Sequence, residues 1–172
     1  MADAPPGYVV DRADTDDADV MTDLWVDLAA DQQDHGSHLL ADRNRDRIHE
    51  TMLQHILTDT ALVAREDAPD DGAPLVGFVT FGRESEAYNQ DAARGIVHNL
   101  YVRPSDRRQG VGSALLAAAE TRLEARGVNA VALESMADNG AARSFYRRRG
   151  YAPHRVELEK PLESDTLTTN DE

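Results

Sequence analysis

One junction constrains this chain more than any other: "VHNLYVRPSDRRQGVGSALLAAAE", residues 97–120. GIVHNLYV (95–102) reads as a strand, and Pro104 ends it because proline cannot donate to a ladder. From about Gln109 to Arg126 the pattern turns helical, with Val111, Leu115, Ala118, Ala119 and Leu123 on one side and Gly127 at the C-terminal stop. Between them lie Arg107, Arg108, Gln109, Gly110, Val111, Gly112 and Ser113. A helix N-terminus exposes unpaired N–H groups at the positive end of its dipole, and glycine lets a ligand come close to the backbone. The stretch therefore predicts a cradle for a pyrophosphate-like anion, with arginines as counter-charge. The alternative is an ordinary strand-to-helix turn whose glycines serve packing.

Two other phosphate loops are excluded by their own chemistry. A P-loop requires Gly-Lys-Ser/Thr, and the sole lysine, Lys160, stands elsewhere. A dinucleotide fingerprint requires a third glycine where this chain has Leu115.

The elements around the junction follow from periodicity and breakers. YVVDR (8–12) is a strand, "DTDDAD" supplies acidic cap and first-turn residues for a helix to about Gln33, and Leu24, Trp25, Leu28 and Ala29 form its apolar face. After a loop with Gly36, Asp42 is placed to cap a second helix carrying Ile48, Met52, Leu53, Ile56 and Leu57. Thr60 to Arg65 and LVGFVTF (75–81) form a hairpin across "DAPDDGAP". VNAVALES (128–135) is a strand, Asn139 caps a short helix ending at Gly150, and YAPHRVELEK (151–160) is a final strand or strand pair. The order β, α, α, β, β, β, α, β, α, β implies an α/β (α+β) fold: a largely antiparallel sheet with one parallel element and helices on both faces. The expectation is one domain over 1–172, with its core over about 8–160 and a tail from Glu163.

Charge sharpens the reading of the junction. The formal net charge is -14, yet the span from Arg94 to Arg155 holds 11 arginines against five acidic residues. An anionic ligand on the C-terminal half accounts for that contrast. Such acidity with a single lysine resembles the composition of extreme halophiles, and it argues against nucleic-acid binding. Zero cysteines exclude thiol nucleophiles and cysteine-ligated metals. No apolar run reaches the ~18 residues of a membrane span and no signal segment opens the chain, so a cytoplasmic protein without membrane contact is expected.

The central stretch resembles the signature of the Gcn5-related N-acetyltransferase (GNAT) superfamily, Arg/Gln-x-x-Gly-x-Gly/Ala, filled by Arg107, Gly110 and Gly112. Downstream, "NGAARSFYRRRGY" is similar to that family's second motif through Asn139, Ala142, Phe145, Tyr146, Gly150 and Tyr151. The resemblance covers residues 8 to 160. It implies a sheet splayed between the fourth and fifth strands that admits the pantetheine arm of acetyl-CoA as cosubstrate against Leu100, Tyr101 and Val102. It places the pyrophosphate on the amides of Arg108 to Ser113, Asn139 on the pantetheine, and the Tyr146 hydroxyl at the sulfur. Phe145 is expected in the core, and a homodimer is an expectation of family analogy.

The chemistry of the residues agrees with the resemblance. Aminolysis of a thioester requires a neutral amine, a polarised carbonyl and a stabilised leaving thiolate. Backbone N–H near Leu100–Val102 suits the carbonyl oxygen, and Tyr146 suits the acid. An alkylamine of pKa ~10.4 is neutral in about one molecule in 2,500 at pH 7, a handicap of ~4.6 kcal/mol that a base or apolar pocket must offset. His98 is the candidate base, where relatives often carry an acidic residue. Strand alternation predicts His98, Leu100 and Val102 on one face, with Asn99 and Tyr101 on the other. Glu84, Glu86, a water chain or a purely structural His98 are the alternatives.

No metal is expected. Read as a calcium loop from Asp14, "DTDDAD" puts Asp19 where glycine is required and Trp25 where the bidentate glutamate belongs. His35 and His38 lie in a polar loop. The leading expectation is acetyl transfer to a primary amine of a small molecule or peptide. The competitors are a non-catalytic acyl-CoA sensor and an enzyme acting on protein N-termini.

Overall fold

The computed structural model describes residues 4–68, 73–85 and 91–162. Two compact units are distinguished, Met1–Asn139 and Gly140–Glu172. The first holds β1 (Tyr8–Arg12), α1 (Ala18–Gln33), α2 (Arg45–Leu57), β2 (Ala61–Glu66), β3 (Leu75–Arg83), β4 (Arg94–Val102), α3 (Val111–Ala125) and β5 (Ala130–Leu133). The second holds α4 (Gly140–Arg148). The tail from Glu163, Glu86 and the four central residues of the "DAPDDGAP" turn lie outside the described residues.

The strands form one sheet in the order β1-β2-β3-β4-β5. The first three pairings are antiparallel and β4–β5 is parallel. β3 is buried from Leu75 to Phe81 because helices cover both of its faces, which is why LVGFVTF is apolar without alternation. Opposed residues of an antiparallel pair share a face. Gly77, Val79 and Phe81 with Val102, Leu100 and Val97 face α3, where a Cβ on Gly77 would stand 3.3 Å from Leu115 and 2.6 Å from the Tyr101 carbonyl oxygen. Phe78 and Tyr101 pack on the other face against Met21, Leu24 and Trp25 of α1 and Met52 of α2.

The helix starts obey local chemistry with one difference. Asp14 accepts the Asp16 amide while the Asp17 carboxylate accepts the Asp14 amide at 2.9 Å, a capping box that opens a single 3-10 turn leading into α1. Asp42 does not cap α2: it opens its own 3-10 turn, Asp42–Asn44, and α2 starts three residues later without a side-chain cap. Leu57, expected on the apolar face of α2, is 76% exposed in its last turn. α3 closes as expected, with Gly127 at φ +81 and the Val128 amide reaching back to the Leu123 carbonyl at 3.1 Å.

The final strand expected over 151–160 is absent. Residues 151–162 carry no ladder, and Val156, Leu158 and Leu162 are 77%, 90% and 87% exposed. Apolar alternation specifies a strand only where an edge pairs with it. Among the described residues no helix is long and apolar enough to cross a membrane.

Candidate active site

The site is built on the point where β4 and β5 part. Their parallel ladder runs from Arg94↔Ala130 to Val97↔Leu133 and stops, while β4 continues to Val102. On its other side β4 stays bonded to β3, and the Arg103 amide donates to the Val76 carbonyl at 2.8 Å. Antiparallel bonding alternates, so Tyr101 and Asn99 turn their backbone groups to β3, and Leu100 and Val102 turn theirs to the open edge. The Val102 carbonyl there accepts the Arg107 Nε–H at 2.8 Å.

The junction follows directly. Arg108 (φ 64) and Gly110 (φ +93) both take left-handed backbone, so the turn folds back onto the start of α3. Gly110 caps α3 without a side-chain bond, and its carbonyl accepts the Ala114 amide. The amides of Val111, Gly112 and Ser113 have no acceptor among the described residues. They are the first-turn N–H groups that have no intrahelical acceptor. Gln109 reaches the Ser105 carbonyl. Arg107 is committed elsewhere: besides Val102 it bonds Asp31 of α1 at 2.9 Å and lies 5.2 Å from the Tyr101 ring centroid. Its guanidinium braces the turn against α1. Burial, then Asp31 and Asp27, raise the Tyr101 phenol above its usual range. Asp106 holds the turn from below, accepting from the Tyr8 hydroxyl at 3.0 Å and from Ser105.

The opposite face corrects one expectation. The β3–β4 register slips between Thr80↔Asn99 and Phe81↔Val97, leaving His98 as an extra residue in a bulge. His98 Nε2 comes 3.5 Å from the position of a Cβ on Gly82, on the α1–α2 face. His98 therefore shares its face with Asn99 and Tyr101, not with Leu100 and Val102. Simple alternation fails because the bulge adds one residue without crossing the sheet.

On that face the Trp25 indole N–H donates to Asn99 Oδ1 at 3.1 Å, and Asn99 Nδ2 donates to Thr80 Oγ1 at 2.8 Å. The His55 ring of α2 lies 5.5 Å from the His98 ring. Burial lowers both imidazoles below the ordinary 6.5, His55 to about 4 with His98 as a second cause; Glu134 opposes the effect on His98. Glu84 pairs with Arg94 at 3.1 Å within the hairpin, which engages that alternative base.

The second motif divides between the units. The Asn139 amide bonds the Met136 carbonyl and the residue ends the first unit. In the second unit Tyr146 stands edge-on to Phe145 and Tyr151, with ring centroids 5.2 and 5.9 Å away, and desolvation raises its phenol. Phe145 is only partly buried. Sequence reasoning missed His55, Thr80 and the polar role of Trp25. A histidine on an otherwise apolar helix face was the one available signal.

An open mixed sheet of this kind, its fourth strand parting from the fifth beside a glycine-capped helix, is a fold shared with solved N-acetyltransferases. The chain belongs to the acetyltransferase (GNAT) family, which it matches over residues 18–151. It is 30% identical over 155 residues to a mycothiol acetyltransferase of Clavibacter michiganensis, covering 90% of this chain and 46% of the relative. A second mycothiol acetyltransferase, from Streptomyces avermitilis, is 41% identical over 70 residues, 41% of this chain and 23% of its own. The chain thus spans less than half the length of these curated relatives. Among solved structures, a GCN5-related N-acetyltransferase from Ralstonia eutropha superposes with a TM-score of 0.68 at 22% identity, over 91% of this chain and 99% of that one. An aminoglycoside N-acetyltransferase in complex with CoA gives 0.65 at 15% identity, over 90% and 94%. At those identities the likeness is one of fold.

Proposed function

We propose that this acyltransferase moves an acetyl group from acetyl-CoA directly to a primary amine of a small molecule or peptide. The observation that carries the reading is the succession of an open strand edge at Leu100 and Val102 and an open set of amides at Val111–Ser113, with only eight residues between them. The edge suits an amide-bearing pantetheine arm, and the amides suit its pyrophosphate. Arg108 and Gln109 flank that cradle, Arg107 braces it, Tyr101 supports the edge from the buried side, and Asn139 is assigned to the arm. The acetyltransferase relatives support a small-molecule acceptor without naming one for this chain.

In the transfer the amine nitrogen attacks the thioester carbonyl carbon, so the C–N bond forms as the C–S bond breaks. His98 takes the proton from nitrogen and Tyr146 gives one to sulfur, leaving an amide and free thiol. An N–H of the open edge stabilises the developing oxyanion. Hydrogen exchange tests the donor site. Saturating acetyl-CoA should slow exchange at Leu100, Val102 and Val111–Ser113, and unchanged rates at both segments would remove the assignment. Tyr146→Phe should lower kcat with little change in acetyl-CoA affinity; equal turnover would remove its role as acid.

A further inference from the structure

We propose that His55 of α2 is a positioning residue for His98, its anchored ring holding the His98 imidazole in one orientation at the first residue beyond the β4–β5 ladder. The inference rests on the acetyl-transfer reading, in which His98 is the base. It begins with the bulge. His98 has no partner residue on β3, and the nearby position on that strand is Gly82, which offers no side chain to lean on. The ring that meets it is His55, with centroids 5.5 Å apart and planes inclined by 47°.

Hydrogen bonding anchors His55 itself. Thr58 Oγ1 donates its proton to the Gln54 carbonyl at 2.8 Å. Thr60 Oγ1 has the His55 carbonyl at 3.2 Å and Thr58 Oγ1 at 3.0 Å as acceptors for its own proton. The shortest of its contacts is to His55 Nδ1, at 2.8 Å. The His55 ring is held through Nδ1 by the threonine that precedes β2. A ring so tied is a fixed wall.

The electrostatics suit the same role. Glu134 is the charge that faces His98, and His98 is the titratable group that faces His55. His55 stays neutral through the working range, so it desolvates one side of His98 without adding charge. A neutral, oriented imidazole is the form that accepts a proton from an attacking amine.

The test is a histidine-resolved NMR titration of the full chain, free of ligand, beside the pH profile of acetyl transfer. His55→Asn retains a polar partner for Thr60 and removes the ring. It should move the His98 titration up by about half a pH unit toward the ordinary value, and the acid limb of kcat/KM should move with it. kcat should fall roughly tenfold with KM for acetyl-CoA unchanged. Thr60→Val, which frees the ring, should shift the profile in the same direction. In a His98→Ala background His55→Asn should cost nothing more. An unmoved His98 titration in folded His55→Asn, or equal losses with and without His98, would overturn the proposal. The titration needs no substrate, so it decides the role of His55 even where the acetyl-transfer reading itself fails.

Discussion

Val97 and Leu133 form the last rung between β4 and β5, and the next residue of β4 is the bulged His98. The donor edge and the candidate base therefore start at one point in the sheet. In the proposed transfer the acceptor approaches His98 from the α1–α2 face, the side of the strand not packed on α3.

Gly110→Ala tests the cradle. At φ +93 an L-residue is strained by roughly 1–2 kcal/mol, and the first turn of α3 would have to rotate to relieve it. We expect weaker CoA binding by calorimetry, about tenfold, together with a modest fall in Tm. Gly127→Ala, at φ +81 with open space around it, should lower Tm similarly and leave CoA affinity alone.

Asn99→Leu tests the polar bridge on the α1–α2 face. It strands the Trp25 indole N–H and the hydroxyl of Thr80, both in buried residues, at a cost of about 1–3 kcal/mol each way of counting the lost bonds. Trp25 is the only tryptophan, so its fluorescence reports the change directly. Urea denaturation followed at that signal should show a lower midpoint, with a shifted emission maximum in the folded state.

Asp59 ties three arginines together. Its carboxylate meets Arg12 at 2.9 Å, Arg122 at 2.7 Å and Arg126 at 3.5 Å, and its φ of 55 is a conformation asparagine also tolerates. Asp59→Asn keeps the backbone and removes the charge, leaving three guanidiniums facing one another across β1 and α3. All four side chains are partly solvated, so the expected loss is about 1–2 kcal/mol, or a few degrees in Tm. Calorimetry at low and high salt should show the loss shrinking as salt screens the arginines.

Acid lowers stability through His55. Its folded pKa, about 4, lies below the ordinary 6.5, so the unfolded chain binds more protons between those values. Stability is then fully present above about pH 6.5 and falls as pH drops toward 4, by on the order of 2 kcal/mol after allowance for partial exposure. Urea midpoints at pH 7, 5.5 and 4 measure it. His55→Asn should flatten that portion of the profile.

Much of this was legible in the sequence because the informative residues act locally. Pro104, the glycines at 110 and 127, and the Asp14–Asp17 box mark their boundaries through backbone chemistry confined to a few residues. The apolar run of β3 announced a strand covered on both faces. The bulge at His98 was not legible, since it arises from the register of two strands and leaves composition unchanged. The strand expected over 151–160 failed for the complementary reason: its alternation is present, and the ladder that would use it is not. His55 was hidden by distance, because it meets His98 only once α2 packs on the sheet.

The most direct measurement of the central claim is release of CoA thiol from acetyl-CoA, followed in concentrated KCl against a panel of polyamines, amino acids, aminoglycosides and N-terminal peptides. Turnover is expected with at least one primary amine, with equal amounts of thiol and N-acetyl product by mass spectrometry and loss of rate in His98→Gln. A folded protein that binds acetyl-CoA and yields no thiol with any amine of the panel would contradict it.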